Sequence, residues 1–226
     1  MIMLSKLCEL FARLKRKSGA CRLYERVKRY ASLTSTTICM LHEAESKKPC
    51  PTSAFFCGKE SKIPALNFDA VKETYCSKTR TSSVPSVDAV LYKGNRFVFL
   101  EIKSWQNFER YQIKPGDSQA TIQRKIADKA TGFRLKPKVE SSMEICRNIT
   151  KDVHLFEQMP VTYVLVTDVD TVADPLARFR SRLRALAYKS VYIPLFNSAS
   201  MAQLTTVGMD VRYVFCRNFD DFYESL

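Results

Sequence analysis

The 226-residue sequence predicts an α/β protein: a mixed central β-sheet flanked by helices, with an N-terminal helical extension. Three observations carry this prediction. Two apolar, β-rich runs flank a short polar turn in "VPSVDAVLYKGNRFVFLEIKSW", residues 84 to 105. A third β-branched run, "VTYVLVTDVD" at 161 to 170, has the continuous apolar character of a buried strand. Segments of helical pattern separate these runs, giving the order helices, hairpin, helix, strand, helix, strand.

Residues 3 to 32 read as helix, broken at Ser18-Gly19, because Leu4, Leu7, Leu10, Phe11 and Leu14 keep helical spacing. Docking on the core explains that apolar stripe, and its basic flank also suits a membrane surface. Residues 33 to 65 are rich in Ser, Thr and Pro, with "KKPCPTS" as a loop signal. "NFDAVKETYC" (67 to 76) reads as a short helix with Asn67 as its N-cap, and "SKTRTSSVPS" as the loop into the hairpin. The segment 106 to 137 is polar and basic, and Asp117 or Ser118 caps a helix running to about Ala130. "KVESSMEICRNI" (138 to 149) is a second helix, with Val139, Met143, Ile145 and Cys146 toward one side. "DPLARFRSRLRALAYKS" (174 to 190) is an amphipathic basic helix begun by Asp174, with Pro175 at its first position. "VYIPLF" and "VRYVFCR" read as shorter strands. The chain divides into a basic N-terminal extension and loop, 1 to 66, and an α/β domain, 67 to 226.

Composition narrows the function. Lys and Arg number 36 against 23 Asp and Glu, a net charge of +13 that favours polyanionic partners, nucleic acid above all. Eight cysteines are scattered with no CxxC pair, and there are two histidines, so a structural zinc site is not expected. The thiols are too sparse for a secreted disulfide scaffold, which points to an intracellular, cytoplasmic setting. No apolar stretch reaches the roughly 18 residues that span a bilayer. The N-terminus lacks the continuous apolar region and cleavage site of a signal peptide. Neither GxxxxGK[ST] nor GxGxxG occurs, which removes two common nucleotide-binding signatures, and no Gx[SC]xG elbow is present. Nothing specifies an oligomeric state, and a homodimer is compatible with the sequence.

The hairpin holds the sharpest signal. With Gly94-Asn95 as a two-residue loop, Lys93 pairs with Arg96 and Tyr92 with Phe97, so Asp88 falls opposite Glu101. Paired side chains share a face with Cβ atoms about 5 Å apart. Lys103, two residues beyond Glu101, joins that face. Two facing carboxylates inside apolar flanks repel each other. A divalent cation such as Mg²⁺ or Mn²⁺ resolves the conflict, because it takes carboxylate oxygens while keeping waters. A neighbouring lysine then orients a water or neutralises developing phosphate charge.

An aspartate followed by Glu-x-Lys across a hairpin, then helix and strand, resembles the PD-(D/E)xK nuclease superfamily. Pro85 precedes Asp88 by three, a loose "PSVD" form of the motif, and Glu101-Ile102-Lys103 matches ExK. The likeness covers residues 67 to 170 and is strongest over 84 to 104. It implies a restriction-endonuclease-like core and a metal-dependent nuclease hydrolysing phosphodiester bonds, with DNA set ahead of RNA. By the same resemblance, Asp88, Glu101 and the backbone carbonyl of Ile102 hold the metal, and Lys103 lies beside the attacking water. Some members add a glutamate from the helix before the hairpin; Glu73 is the nearest candidate, with Glu60 and Glu43 as others. The helix after the ExK strand often carries Lys or Gln, and Gln123, Lys125 and Lys138 are open choices. His42 resembles the extra ligand of one-metal endonucleases, although a lone histidine is more often incidental. Asp168 and Asp170 are set aside as strand-end turn residues. The competing reading is a non-catalytic module, binding nucleic acid or protein on a degenerate core of this kind.

Basic residues crowd the segment after the hairpin. Arg124, Lys125 and Lys129 are the candidate phosphate contacts, with Trp105, Phe108, Tyr111 and Phe133 interleaved as stacking platforms. Arg180 and Arg184 on the later basic helix form an alternative docking face.

Overall fold

The computed structural model describes residues 19–30, 35–46, 60–157, 159–171 and 191–226. The predicted helix ahead of Gly19, the "KKPCPTS" loop and the basic helix at 174 to 190, with Arg180 and Arg184, lie outside the described residues.

Six strands form one mixed sheet in chain order: β1 (Ser35–Thr36), β2 (Ala65–Asn67), β3 (Ala89–Lys93), β4 (Arg96–Lys103), β5 (Val161–Thr167) and β6 (Asp210–Phe215). Neighbours from β1 to β4 are antiparallel, and β4, β5 and β6 run parallel. The hairpin register is the expected one, from Lys93 opposite Arg96 to Ala89 opposite Leu100. Gly94 takes φ 59° at the first loop position, a left-handed conformation that glycine adopts without a Cβ penalty.

Strand β4 is the centre of the molecule, buried along nearly its whole length. Its residues alternate between two cores, as the twofold period of a strand requires. Phe97 and Phe99 face one cluster, packed by helices α1 (Gly19–Lys28), α3 (Phe68–Thr79), α4 (Trp105–Gln112), α5 (Gln119–Thr131), α6 (Leu135–Thr150) and α7 (Ile193–Leu204). Val98, Leu100 and Ile102 face the other, covered by α2 (Ile38–Ser46) and α8 (Phe219–Ser225). By that alternation Glu101 and Lys103 belong to the first face.

The helix starts follow capping chemistry. Asn67 Oδ1 accepts from the Ala70 N–H at 3.3 Å to open α3, Ser104 Oγ from the Asn107 N–H at 3.1 Å to open α4, and Ser118 Oγ from the Thr121 N–H at 3.2 Å to open α5. Helix α6 begins three residues before the predicted Lys138, because Pro137 fits its first turn, where its missing N–H is no loss.

Three sequence readings are corrected. "VYIPLF" does not form a strand: Pro194 sits in the first turn of α7, and Phe196 turns inward to stack on Trp105, centroids 4.7 Å apart and planes 9° off parallel. Residues 33 to 65, read as loop, contain β1, α2 and the start of β2; the two strands are too short to show a period, and they form by pairing. Residues 106 to 112, read only as polar and basic, belong with Trp105 to α4, whose Trp105 and Phe108 are buried. Among the described residues no helix is long and apolar enough to cross a membrane.

Phe196 is fully buried against Trp105, Phe108 and Tyr192. Phe196→Ala is expected to lower the unfolding free energy by about 3–5 kcal/mol in urea titrations, through the cavity left beside the indole.

Candidate active site

Asp88, Glu101 and Lys103 converge where the amino end of β3 meets the carboxyl end of β4. Asp88 lies one residue beyond the β3–β4 ladder. Its N–H donates to the Leu100 carbonyl at 3.0 Å, and its Oδ2 accepts from the Ile102 N–H at 2.7 Å. The aspartate side chain therefore takes the place of a backbone partner and is fixed against β4. Glu101 is completely buried. Lys103 Nζ donates to Glu101 Oε1 at 2.6 Å and to the Ile102 carbonyl at 2.9 Å, and lies 3.8 Å from Asp88 Oδ2.

A second lysine enters from α6. Lys138 Nζ donates to the same Glu101 Oε1 and lies 3.6 Å from Asp88 Oδ1. Of the three helix residues left open by the sequence, this is the one that reaches the carboxylates. Gln123 is exposed, and Lys125 bonds the Gln112 carbonyl at 2.8 Å and Asp117 Oδ2 at 2.7 Å, closing the turn between α4 and α5.

The electrostatics follow from burial. Desolvation, then the nearby Asp88 charge, push the Glu101 carboxyl up to about 7, against the opposing pull of Lys103 and Lys138. Burial alone would lower Lys103, but Glu101, Asp88 and Glu45 outweigh it and hold the ammonium above the usual lysine range. Lys103 therefore stays charged, and Glu101 is the group that titrates near neutrality.

Two buried polar atoms here have no hydrogen-bond partner among the described residues: Glu101 Oε2 and the Tyr163 hydroxyl on β5. Burial, then the charges of Glu101 and Asp88, hold the Tyr163 phenol well above its ordinary range. An unsatisfied buried polar group costs about 1–3 kcal/mol, more when charged, so these two atoms are left with a need that the described residues do not meet. Asp88, Glu101 and the Ile102 carbonyl are hard oxygen donors, the set that Mg²⁺ and Mn²⁺ take. With Glu101 Oε2 already desolvated and unpartnered, they fit such an ion. The site offers two carboxylates only: among the described residues no group of three or more His, Cys, Asp or Glu is disposed to hold a metal.

Three neighbours were not singled out for the site from sequence. Glu45 on α2 lies 3.9 Å from Lys103 and 3.8 Å from Lys129. Asp168, at the end of β5, accepts from the Trp105 and Gln106 N–H groups at 2.8 and 3.2 Å, from Ser104 Oγ, and makes a 3.1 Å contact with His42 Nε2. His42 is thus linked to Asp168, and its i, i+3 spacing from Glu45 turns both toward the strand ends. Tyr163 is the third. The only local signal was "HEAE" inside a stretch that reads as loop.

The remaining candidates lie elsewhere. Glu73, Glu60 and Glu43 are exposed, and no ion pair joins Glu73 to the cluster. Arg124 is exposed on α5, while Lys129 points to Glu45 and lies 5.7 Å from the Phe133 ring centroid. Trp105, Phe108 and Phe133 are not stacking platforms for bases: all three are core residues packed on one another, and of the four aromatics only Tyr111 is exposed. Trp105 and Phe108, read as interleaved with charge, are the inward side of amphipathic α4, and Phe133 packs in from the turn between α5 and α6.

No family model matches the chain, and neither a curated protein nor a solved structure shows significant similarity to it.

Because folding raises Glu101 from 4.5 to about 7, it favours the protonated form. That contribution is complete below pH ~4.5 and lost as pH rises through ~7. Wild-type stability relative to Glu101→Gln is therefore expected to fall by on the order of 3 kcal/mol across this window. Parallel pH profiles in chemical denaturation would show that folding leaves the Glu101 pKa unshifted.

Proposed function

We propose that the chain is a divalent-metal-dependent phosphodiesterase acting on nucleic acid, built on a restriction-endonuclease-like core of the PD-(D/E)xK kind, with Mg²⁺ or Mn²⁺ as cofactor and DNA set ahead of RNA. The observation that carries the reading is the meeting of Asp88, Glu101 and Lys103, with Glu101 Oε2 left unpartnered among the described residues. The order of elements supports it too: an antiparallel hairpin, a helical crossover, then a strand parallel to the hairpin's second arm. The net charge of +13 suits a polyanionic substrate. A reducing intracellular compartment suits thiols that are packed as core residues, such as Cys146.

In this reading Asp88, Glu101 and the Ile102 carbonyl hold the cation, which when bound supplies Lewis-acid stabilisation of the phosphoryl oxygens. Hydrolysis adds water to phosphorus and breaks one P–O ester bond, leaving a phosphate monoester and a hydroxyl. Lys103 is held charged, so it takes no proton from the water. It orients the nucleophile and offsets the negative charge that develops at phosphorus. Asp88, pinned by the Ile102 N–H, keeps its carboxylate in one orientation without relying on substrate.

One observation favours a second reading, a non-catalytic binding module. Both site lysines sit on Glu101 Oε1, so the cluster is already charge-compensated without a cation. Metal titration separates the two. A nuclease gains thermal stability with Mn²⁺ through linkage and loses that gain in Glu101→Gln. A binding module shows neither effect and still retains nucleic acid.

Labelled DNA and RNA incubated with and without Mg²⁺ give the direct test. Asp88→Ala, Glu101→Gln and Lys103→Met are each expected to lower metal-dependent cleavage at least ~100-fold, the scale of losing one transition-state contact. Undiminished cleavage in all three would remove the assignment. Affinity should also fall steeply with salt, and Arg124→Glu, exposed and clear of the cluster, should weaken binding across sequences alike.

A further inference from the structure

Lys138 stands where a cation would compete with it. Its Nζ donates to Glu101 Oε1 and lies 3.6 Å from Asp88 Oδ1, so a single positive charge bridges the two carboxylates. Lys103 is anchored differently. It is more deeply buried, bonds the Ile102 carbonyl, and lies 3.9 Å from Glu45, so it keeps partners when the Asp88–Glu101 pair is engaged elsewhere. The lysine of α6 is more accessible, its side chain 20% exposed against 8% for Lys103, and among the described residues its ion pairs are to those two carboxylates alone. It also sits near the start of α6, where the helix dipole disfavours a positive charge. What retains it there is the acidic pair.

We propose that Lys138 is a tethered counter-ion: its ammonium holds the Asp88–Glu101 pair in the metal-free protein, a divalent cation must displace it to bind, and the freed ammonium then turns to a substrate phosphate. This rests on the metal-site reading above and adds a regulatory element to it. The bridge keeps Asp88 and Glu101 from repelling each other while no cation is present, and it weakens metal affinity in exchange. Displacement moves a positive charge from the carboxylates to the open side of the site, where a phosphodiester would arrive.

The test is Mn²⁺ binding by the full chain, followed by the loss of the free-ion electron paramagnetic signal and by calorimetry, without substrate. Lys138→Met and Lys138→Gln are expected to bind Mn²⁺ at least tenfold more tightly than wild type. Lys136→Met, which removes an exposed neighbour paired with Glu140, should change affinity by less than twofold and so controls for general charge. The melting temperature of metal-free Lys138→Met should drop and be restored by Mn²⁺ to a larger degree than in wild type. Should Lys138→Met not fold, the Gln variant carries the comparison. Wild-type affinity or weaker binding in both Lys138 variants, with binding still lost in Glu101→Gln, overturns the counter-ion role and leaves the metal site standing. An equal gain in Lys136→Met overturns it as well. No Mn²⁺ uptake by wild type or by either Lys138 variant at millimolar ion overturns both.

Discussion

The arrangement of the strand ends depends on one buried carboxylate. Asp168 takes two backbone N–H groups at the start of α4, the Ser104 hydroxyl just before it and the His42 ring on α2. The end of β5, the exit of β4 and a helix from the opposite face are thereby tied at a single point. The negative charge is well placed, because it meets the positive end of α4 and satisfies donors that a helix start leaves without intrahelical partners. Lys103 directly precedes Ser104, so the direction in which β4 delivers its lysine is set by how Asp168 holds the next residues. Lys103 and the residues that Asp168 ties are thus adjacent in the chain, though Asp168 itself arrives from 64 positions away.

Around this tie the molecule assembles an unusual density of charge for so buried a place. Three carboxylates, Asp88, Glu101 and Glu45, meet three ammonium groups, Lys103, Lys138 and Lys129. Opposite charges balance in number, yet not in geometry: both nearer lysines crowd one oxygen of Glu101 and leave the other unpartnered. An apolar set of the same volume would stabilise such an interior at least as well, since burying paired charges rarely gains net free energy. Retaining the charges therefore serves something other than stability. On the proposed reading, a divalent ion would convert the balanced cluster into a positive one, the sign that a phosphodiester would meet.

The basic surface has a simpler architecture than its sequence implied. Trp105, Phe108 and Phe133 form a packed aromatic layer with Phe196, which joins α4, α7 and the turn between α5 and α6. The charges on the outer faces of those helices are separate from it. Lys125 serves the fold by closing a turn, and Lys129 serves the cluster, which leaves Arg124 as an outward charge on the same helix. A recognition surface, if read from these helices, is one of phosphate contacts rather than base stacking.

What the sequence determined by itself was local and periodic. Two apolar runs joined by the two-residue Gly94-Asn95 loop defined the hairpin register, and the register alone brought Asp88, Glu101 and Lys103 to one face. Side-chain caps at Asn67 and Ser118 marked two helix starts, since the hydrogen bond that defines a cap spans three residues. The tertiary structure decided whatever depends on contacts between distant segments. Strands β1 and β2 are too short to show a period and exist through their partners, so the stretch containing Glu45 and His42 read as loop. Lys138 was one of three equivalent helix residues until the crossing of α6 over β4 selected it. Asp168 looked like an ordinary turn aspartate, because the donors that give it its role come from α2, α4 and the residue before α4. Glu101 shows the division most plainly: its place on the face follows from period two, whereas its complete burial and raised pKa follow from helices that pack over it.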